Sequence, residues 1–149
     1  MQDMTELIVT RQLKAPRSAV WAAFREPEII AEWWGPAGWS VREGSIVLEP
    51  KVGGRHELDL HPQQDPSHHV PLRAVITEYE EYELFASADG PHEMTLDLVI
   101  NTRVTLKEFG GLTHLTLTQW PLPNEVLAAS TAAWNSALDK LETLLAEYF

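Results

Sequence analysis

Two periods of hydrophobic and polar residues divide the chain. Leu7, Val9 and Leu13 fall on one side of an alternating run, which predicts a strand over 7–13. It ends at Ala15-Pro16, where proline suits the first turn of a helix. Val20, Trp21 and Phe24 then recur at helical spacing. Pro27 opens a second short helix with Ile30, Trp33 and Trp34 on one face, broken by Gly35-Pro36. Between Trp39 and Trp120 the pattern predicts strands over 40–49, 54–61, 70–79, 83–88, 94–108 and 112–120. Gly53-Gly54, Asp89-Gly90-Pro91 and Gly110-Gly111 supply turns between them. The run 94–108 alternates most plainly, with Met94, Leu96, Leu98, Ile100, Val104 and Leu106 on even positions and Asp97, Asn101, Arg103 and Lys107 on odd ones. It predicts one antiparallel strand, wet on one face and covered on the other, and long enough to imply a strongly curved sheet.

The final segment supplies a cover. Asn124 is the expected N-cap, and Leu127, Thr131, Trp134, Leu138, Leu141, Leu145 and Tyr148 follow at spacings of four and three. They form one apolar stripe along a helix of about 25 residues, with Asp139, Lys140, Glu142 and Glu147 opposite. The two halves of that helix differ. Residues 128–133 are only Ala, Ser and Thr, whereas 138–145 carries four leucines. The bulky half can fill a core. The small half either leaves a space above the sheet or permits a closer contact with it.

Composition narrows the function classes. One domain spanning 1–149 is the simplest organisation for this length. A net charge of −11, with no two basic residues adjacent, argues against nucleic acid and anionic membranes as partners. With no cysteine there is no disulfide and no thiolate chemistry. No signal-peptide pattern opens the chain and no apolar run is long enough to insert in a membrane, so the expected location is cytoplasmic. Half of the six tryptophans stand in Trp33-Trp34-Gly35-Pro36-Ala37-Gly38-Trp39. Such a cluster is either a packed loop or the rim of a pocket.

Candidate chemistry is sparse. His56-Glu57-Leu58-Asp59-Leu60-His61 alternates as a strand, which puts Glu57, Asp59 and His61 on a solvated face and His56, Leu58 and Leu60 inside. His56 is then the best polar group for orienting a ligand or acting as a base. Gln119, on the inner face of 112–120, and Asn135, beside the helical stripe, are the next candidates. No histidine spacing suits a metal, no serine has histidine and carboxylate partners, and neither metal nor cofactor is expected.

The order of elements resembles the helix-grip fold of the START / polyketide-cyclase superfamily. Within it the chain is similar to the family named after the activator of the heat-shock-protein 90 ATPase. The residues that carry the likeness are Thr10-Arg11-Gln12-Leu13-Lys14-Ala15-Pro16-Arg17, Val20-Trp21, Pro27-Glu28 leading to Trp33-Trp34-Gly35-Pro36, and Gly38-Trp39. Gly53-Gly54-Arg55, Gly110-Gly111-Leu112-Thr113-His114-Leu115-Thr116-Leu117-Thr118, and Trp134 followed by Leu138-Asp139-Lys140-Leu141-Glu142 continue it. Lys14 stands where the family usually carries an acidic residue, and Tyr79-Glu80-Glu81-Tyr82 replaces a Pro-Pro-Glu turn. The resemblance implies an α+β fold in which a curved antiparallel sheet of about seven strands wraps a long C-terminal helix, with two short helices after the first strand.

It also implies a small apolar or amphipathic ligand, lipid-like or polyketide-like, held between sheet and helix. Trp33, Trp39 and Trp134 would stand near the mouth, and Leu58, Leu60, Ile76, Leu96, Leu98, Leu117 and Leu138 would form the walls. His56, Gln119 and Asn135 would supply the polar contacts. Two alternatives remain at this point: a cyclase- or hydrolase-type enzyme using His56, and a stress-related module that binds a chaperone or another protein. The oligomeric state is not legible.

Overall fold

The computed structural model describes residues 3–148. Eight strands form one antiparallel sheet: β1 (Met4–Leu13), β2 (Trp39–Val41), β3 (Val47–Leu48), β4 (Arg55–Pro62), β5 (Val70–Glu80), β6 (Leu84–Asp89), β7 (Ile100–Phe109) and β8 (Leu112–Pro123). Their order is β1-β8-β7-β6-β5-β4-β2, with β3 pairing on β4 off this path. The helices α1 (Arg17–Arg25) and α2 (Pro27–Trp33) follow β1, and α3 (Leu127–Tyr148) ends the chain. The whole is the helix-grip α+β arrangement. Among the described residues no helix is long and apolar enough to cross a membrane.

The parity of the sequence explains which face is covered. Leu7, Val9 and Leu13 of β1, Val104 and Leu106 of β7, and Leu115 and Leu117 of β8 are all buried on the concave side. Ala137, Leu138, Leu141 and Leu145 of α3 close over that end of the sheet. From the same inward side of β1, Arg11 reaches α3, donating from Nη1 to Asp139 Oδ1 at 2.9 Å and from Nη2 to Asn135 Oδ1 at 2.9 Å. These contacts set the helix's rotation on the sheet.

Several expectations are corrected. The run 94–108 is not one strand: Glu93–Thr95 forms a 3-10 turn, and β7 begins only at Ile100. The cause is a reciprocal capping box. The Met94 N–H donates to His92 Nδ1 at 3.1 Å, and the His92 N–H donates to Thr95 Oγ1 at 3.0 Å. Leu96 and Asp97 then take the left-handed conformation, at φ 56° and 61°, and alternation is lost.

The run 40–49 likewise splits into β2 and β3. Ser45 folds back on the Arg42 carbonyl through both its N–H (3.1 Å) and its hydroxyl (2.7 Å), and Gly44 between them has φ 77°. Asn124 is not a side-chain cap. It opens a 3-10 turn, Asn124–Val126, that leads into α3. The apolar stripe of α3 ends at Leu145, since Tyr148 is 67% exposed.

Candidate functional site

Toward its N-terminal half α3 no longer fills the concave face. A cleft of about 240 Å³ lies there, bounded by β4 to β8, by the turn around Thr95, and by the ends of α2 and α3. Its walls are Trp34, Leu60, Val70, Leu72, Phe85, Ile100, Val104 and Trp134, and its polar lining is His56, Ser87, Asp89, Thr95, Thr102 and Gln119. A second hollow of about 200 Å³ lies against Gly35, Pro36, Ser130, Ala133 and Ala137, and shares Trp34, Leu60, Gln119 and Trp134 with the first. Those four shared side chains form the partition between the two spaces. Trp34 and Trp134 meet edge to face across it, with ring centroids 5.6 Å apart.

Local sequence explains how the partition is positioned. Trp33 is the last residue of α2, and Trp34 already has extended backbone, with ψ 137°. Its ring therefore leaves the helical face and enters the cleft. Gly35 turns the chain at φ 89°, and a Cβ there would come within 3.0 Å of Leu60 Cδ2. A side chain would strain that turn and press on the partition. On β6 the inward parity places Phe85 and Ser87 in the cleft. Gln119 is fixed by donating to Thr102 Oγ1 across the β7–β8 pair at 2.9 Å.

His56 borders the inner end of the cleft, whereas Arg25 lines a separate pocket with Trp21, Tyr79 and Tyr82. His56 is 2% exposed and packs between Trp34 (5.4 Å) and Phe85 (6.3 Å), with neither ring nitrogen hydrogen-bonded. Burial, and secondarily the nearby Arg25 charge, push its pKa down to about 3. The imidazole is therefore neutral at pH 7, with one donor and one acceptor unspent. Arg25 closes α1 and lays its guanidinium over the rings of Tyr79 and Phe85, each at 5.2 Å from Cζ. Its three side-chain nitrogens are buried; that burial lowers its pKa, and a side-chain contact with Tyr79 opposes the shift in part. Among the described residues no group of three or more His, Cys, Asp or Glu is placed to hold a metal ion.

Of the residues singled out from sequence, His56, Leu60, Gln119 and Trp134 line the cleft. Trp33 does not. It is fully buried, donates its indole N–H to the Ala23 carbonyl at 2.8 Å, and packs against Phe24. Trp39 stands at the start of β2, facing His68 at 6.3 Å. Leu58, Ile76, Leu117 and Leu138 lie in the closed core, and none lines the cleft. Leu96 is 55% exposed, and Leu98 beside it is half-buried and outside the lining, because the turn at 93–97 breaks the strand that would have pointed them inward. Asn135 is held by Arg11 of β1 and does not line the cleft. Trp34, Phe85, Ser87 and Thr102 were not anticipated. Strand parity could have offered Phe85 and Ser87, since both share the inward side of β6.

The model of the family described as Activator of Hsp90 ATPase homolog 1-like protein matches residues 14–146. A crystal structure of a protein from Chromobacterium violaceum superposes with TM-score 0.84 at 20% identity, covering 94% of this chain and 96% of that one. A solution structure of a protein from Arthrobacter aurescens gives TM-score 0.81 at 16% identity, over 97% of this chain and 91% of that one. A Silicibacter pomeroyi protein whose description carries the same family's name gives TM-score 0.80 at 17% identity, over 97% of this chain and all of that one. At these identities the likeness is one of fold. A comparison with curated protein sequences finds no match.

Proposed function

Because this chain belongs to the Activator of Hsp90 ATPase homolog 1-like family, we propose that it binds a small apolar or amphipathic molecule in the cleft between the sheet and the N-terminal half of α3. The observation that carries this reading is the composition of the cleft. It has aromatic and aliphatic walls from strands β4 to β7, from Trp34 just after α2 and from α3, with a few polar groups at defined positions. That combination suits recognition of a mostly apolar body with one or two polar features. The partition of Trp34 and Trp134 separates the 240 Å³ and 200 Å³ spaces, so a tilt of either ring would join them for a longer ligand.

Binding is favoured over cyclase- or hydrolase-type catalysis by the state of His56. A group with pKa about 3 is a weak proton acceptor at neutral pH, far from the match that general-base catalysis requires. Binding is favoured over a purely protein-directed role because an interaction surface has no use for an internal cleft. The test is a titration with Nile red, a neutral dye whose emission shifts in apolar surroundings. Saturable binding with concurrent quenching of tryptophan emission supports the reading. Absence of saturable binding to folded protein overturns it.

A further inference from the structure

A polar seam crosses the floor of the cleft. The register sets Ser87 of β6 opposite Thr102 of β7, and Thr102 opposite Gln119 of β8. Three adjacent strands thus each place one uncharged polar side chain in the lining, along one row. The next inward row is apolar: Phe85 lies opposite Val104, and Val104 opposite Leu117. Within the seam Gln119 Nε2 donates to Thr102 Oγ1 at 2.9 Å. Thr102 accepts in that bond, which leaves its own O–H to donate. Ser87 brings a second hydroxyl, at a residue only 8% exposed. A floor meant only for close packing would carry aliphatic side chains at these positions, since a buried hydroxyl is costly unless bonded.

The lining is also nearly free of charge. Among the described residues no lysine or arginine lines the cleft, and Asp89 is its one carboxylate. Asp89 is already engaged: its Oδ1 accepts from His92 Nε2 at 2.9 Å and from the Arg73 N–H at 3.3 Å. His56, in the wall against Trp34 and Phe85, is kept neutral by burial and is no counter-ion. A carboxylate head entering this space would shed its hydration and meet no cation. An ammonium head would meet only a carboxylate that two N–H groups already hold.

Resting on the reading of the cleft as a ligand site, we propose that its occupant is an uncharged molecule carrying a hydroxyl on an apolar body. The body lies between Trp34, Phe85 and Trp134. The hydroxyl sits on the seam, accepting from the Thr102 O–H and donating to Ser87 Oγ. A hydroxyl suits the seam because it donates and accepts at one atom, as the two residues below it require. Gln119 fixes the sense of the pair by occupying Thr102 as acceptor.

The experiment displaces Nile red at pH 7.5 with phenylbutanol, pentylbenzene, phenylbutyrate and phenylbutylamine, which share a phenylalkyl body and differ at its end. Wild type should bind the alcohol at least about tenfold more tightly than either charged compound. Ser87→Ala should lower the ratio of alcohol to pentylbenzene affinity by about threefold to tenfold, the scale of one neutral hydrogen bond. Thr102→Val, close in shape to the original, serves the same comparison if the alanine variant does not fold. Acid or amine binding as tightly as the alcohol overturns the proposal, and so does a ratio that survives loss of the hydroxyl. Displacement by none of the four overturns it as well. In each of these cases saturable Nile red binding leaves the cleft reading standing. A folded wild type that binds no Nile red overturns the cleft reading and, with it, the proposal.

Discussion

The two halves of α3 lie over one sheet and meet it differently. From Ala137 to Leu145 the helix buries an alanine and three leucines in a core shared with β1, α1 and α2, and the interface closes. From Ala128 to Trp134 it presents Ala, Ser and Thr, and the single large side chain, Trp134, turns its edge to Trp34. One half is core. The other is a roof over a partitioned cleft. The lesson is that side-chain volume along a single helix, at constant helical phase, divides this protein into a part that holds the fold and a part open to a guest.

The neighbouring tryptophans sharpen that contrast most. Trp33 belongs to the closed part, and Trp33→Ala should lower stability by about 3–5 kcal/mol in a denaturant melt, through lost burial and a cavity. Trp134 belongs to the roof and is only half-buried, so Trp134→Ala should cost about 1–2 kcal/mol while altering dye binding. Equal losses at the two positions would erase the distinction.

His56 gives the next largest effect. Unfolded, its imidazole takes up a proton near pH 6.5; folded, it does so only near about 3. Between those values the unfolded state binds more protons, so stability falls as pH drops. From pH 7 to pH 5 the fold should lose about 2 kcal/mol from this residue alone. His56→Phe should flatten that part of the profile, and melts at several pH values would check it. An unchanged slope in the variant would mean that the imidazole is not neutral in the fold. The smallest effect is expected at Asn135. Its partner is Arg11 of β1, away from the cleft, so Asn135→Ala should cost under about 1 kcal/mol and leave Nile red affinity unchanged. A clear loss of affinity would bring that helix face into the site.

Much of the frame could be read from the chain. The inward sides of β1, β8 and residues 100–106, and the phase of α3 from Trp134 to Leu145, follow from simple periodicity. What periodicity could not supply was any feature made by side chains bonding the backbone or by contacts far apart in sequence. The His92–Thr95 capping box converts an alternating run into a turn and sends Leu96 outward. The end of α2 falls between Trp33 and Trp34, so two adjacent, chemically identical residues take opposite roles. Asn135 looked free until Arg11, 124 residues away, claimed it. Arg25 carried no signal at all, because its place is defined by the rings of Tyr79 and Phe85 from two other strands.

The small-residue half of α3 roofs a space rather than closing on the sheet. Ala133 lines the 200 Å³ hollow, and Ala133→Phe tests that space directly through paired Nile red titration and denaturant melt. If the space exists, the phenyl ring occupies it: dye affinity falls at least about tenfold while stability changes by under about 1 kcal/mol. If the helix instead packs tightly there, wild type binds no dye and the variant is overpacked by about 1–3 kcal/mol. That result would show a closed interface along the whole of α3.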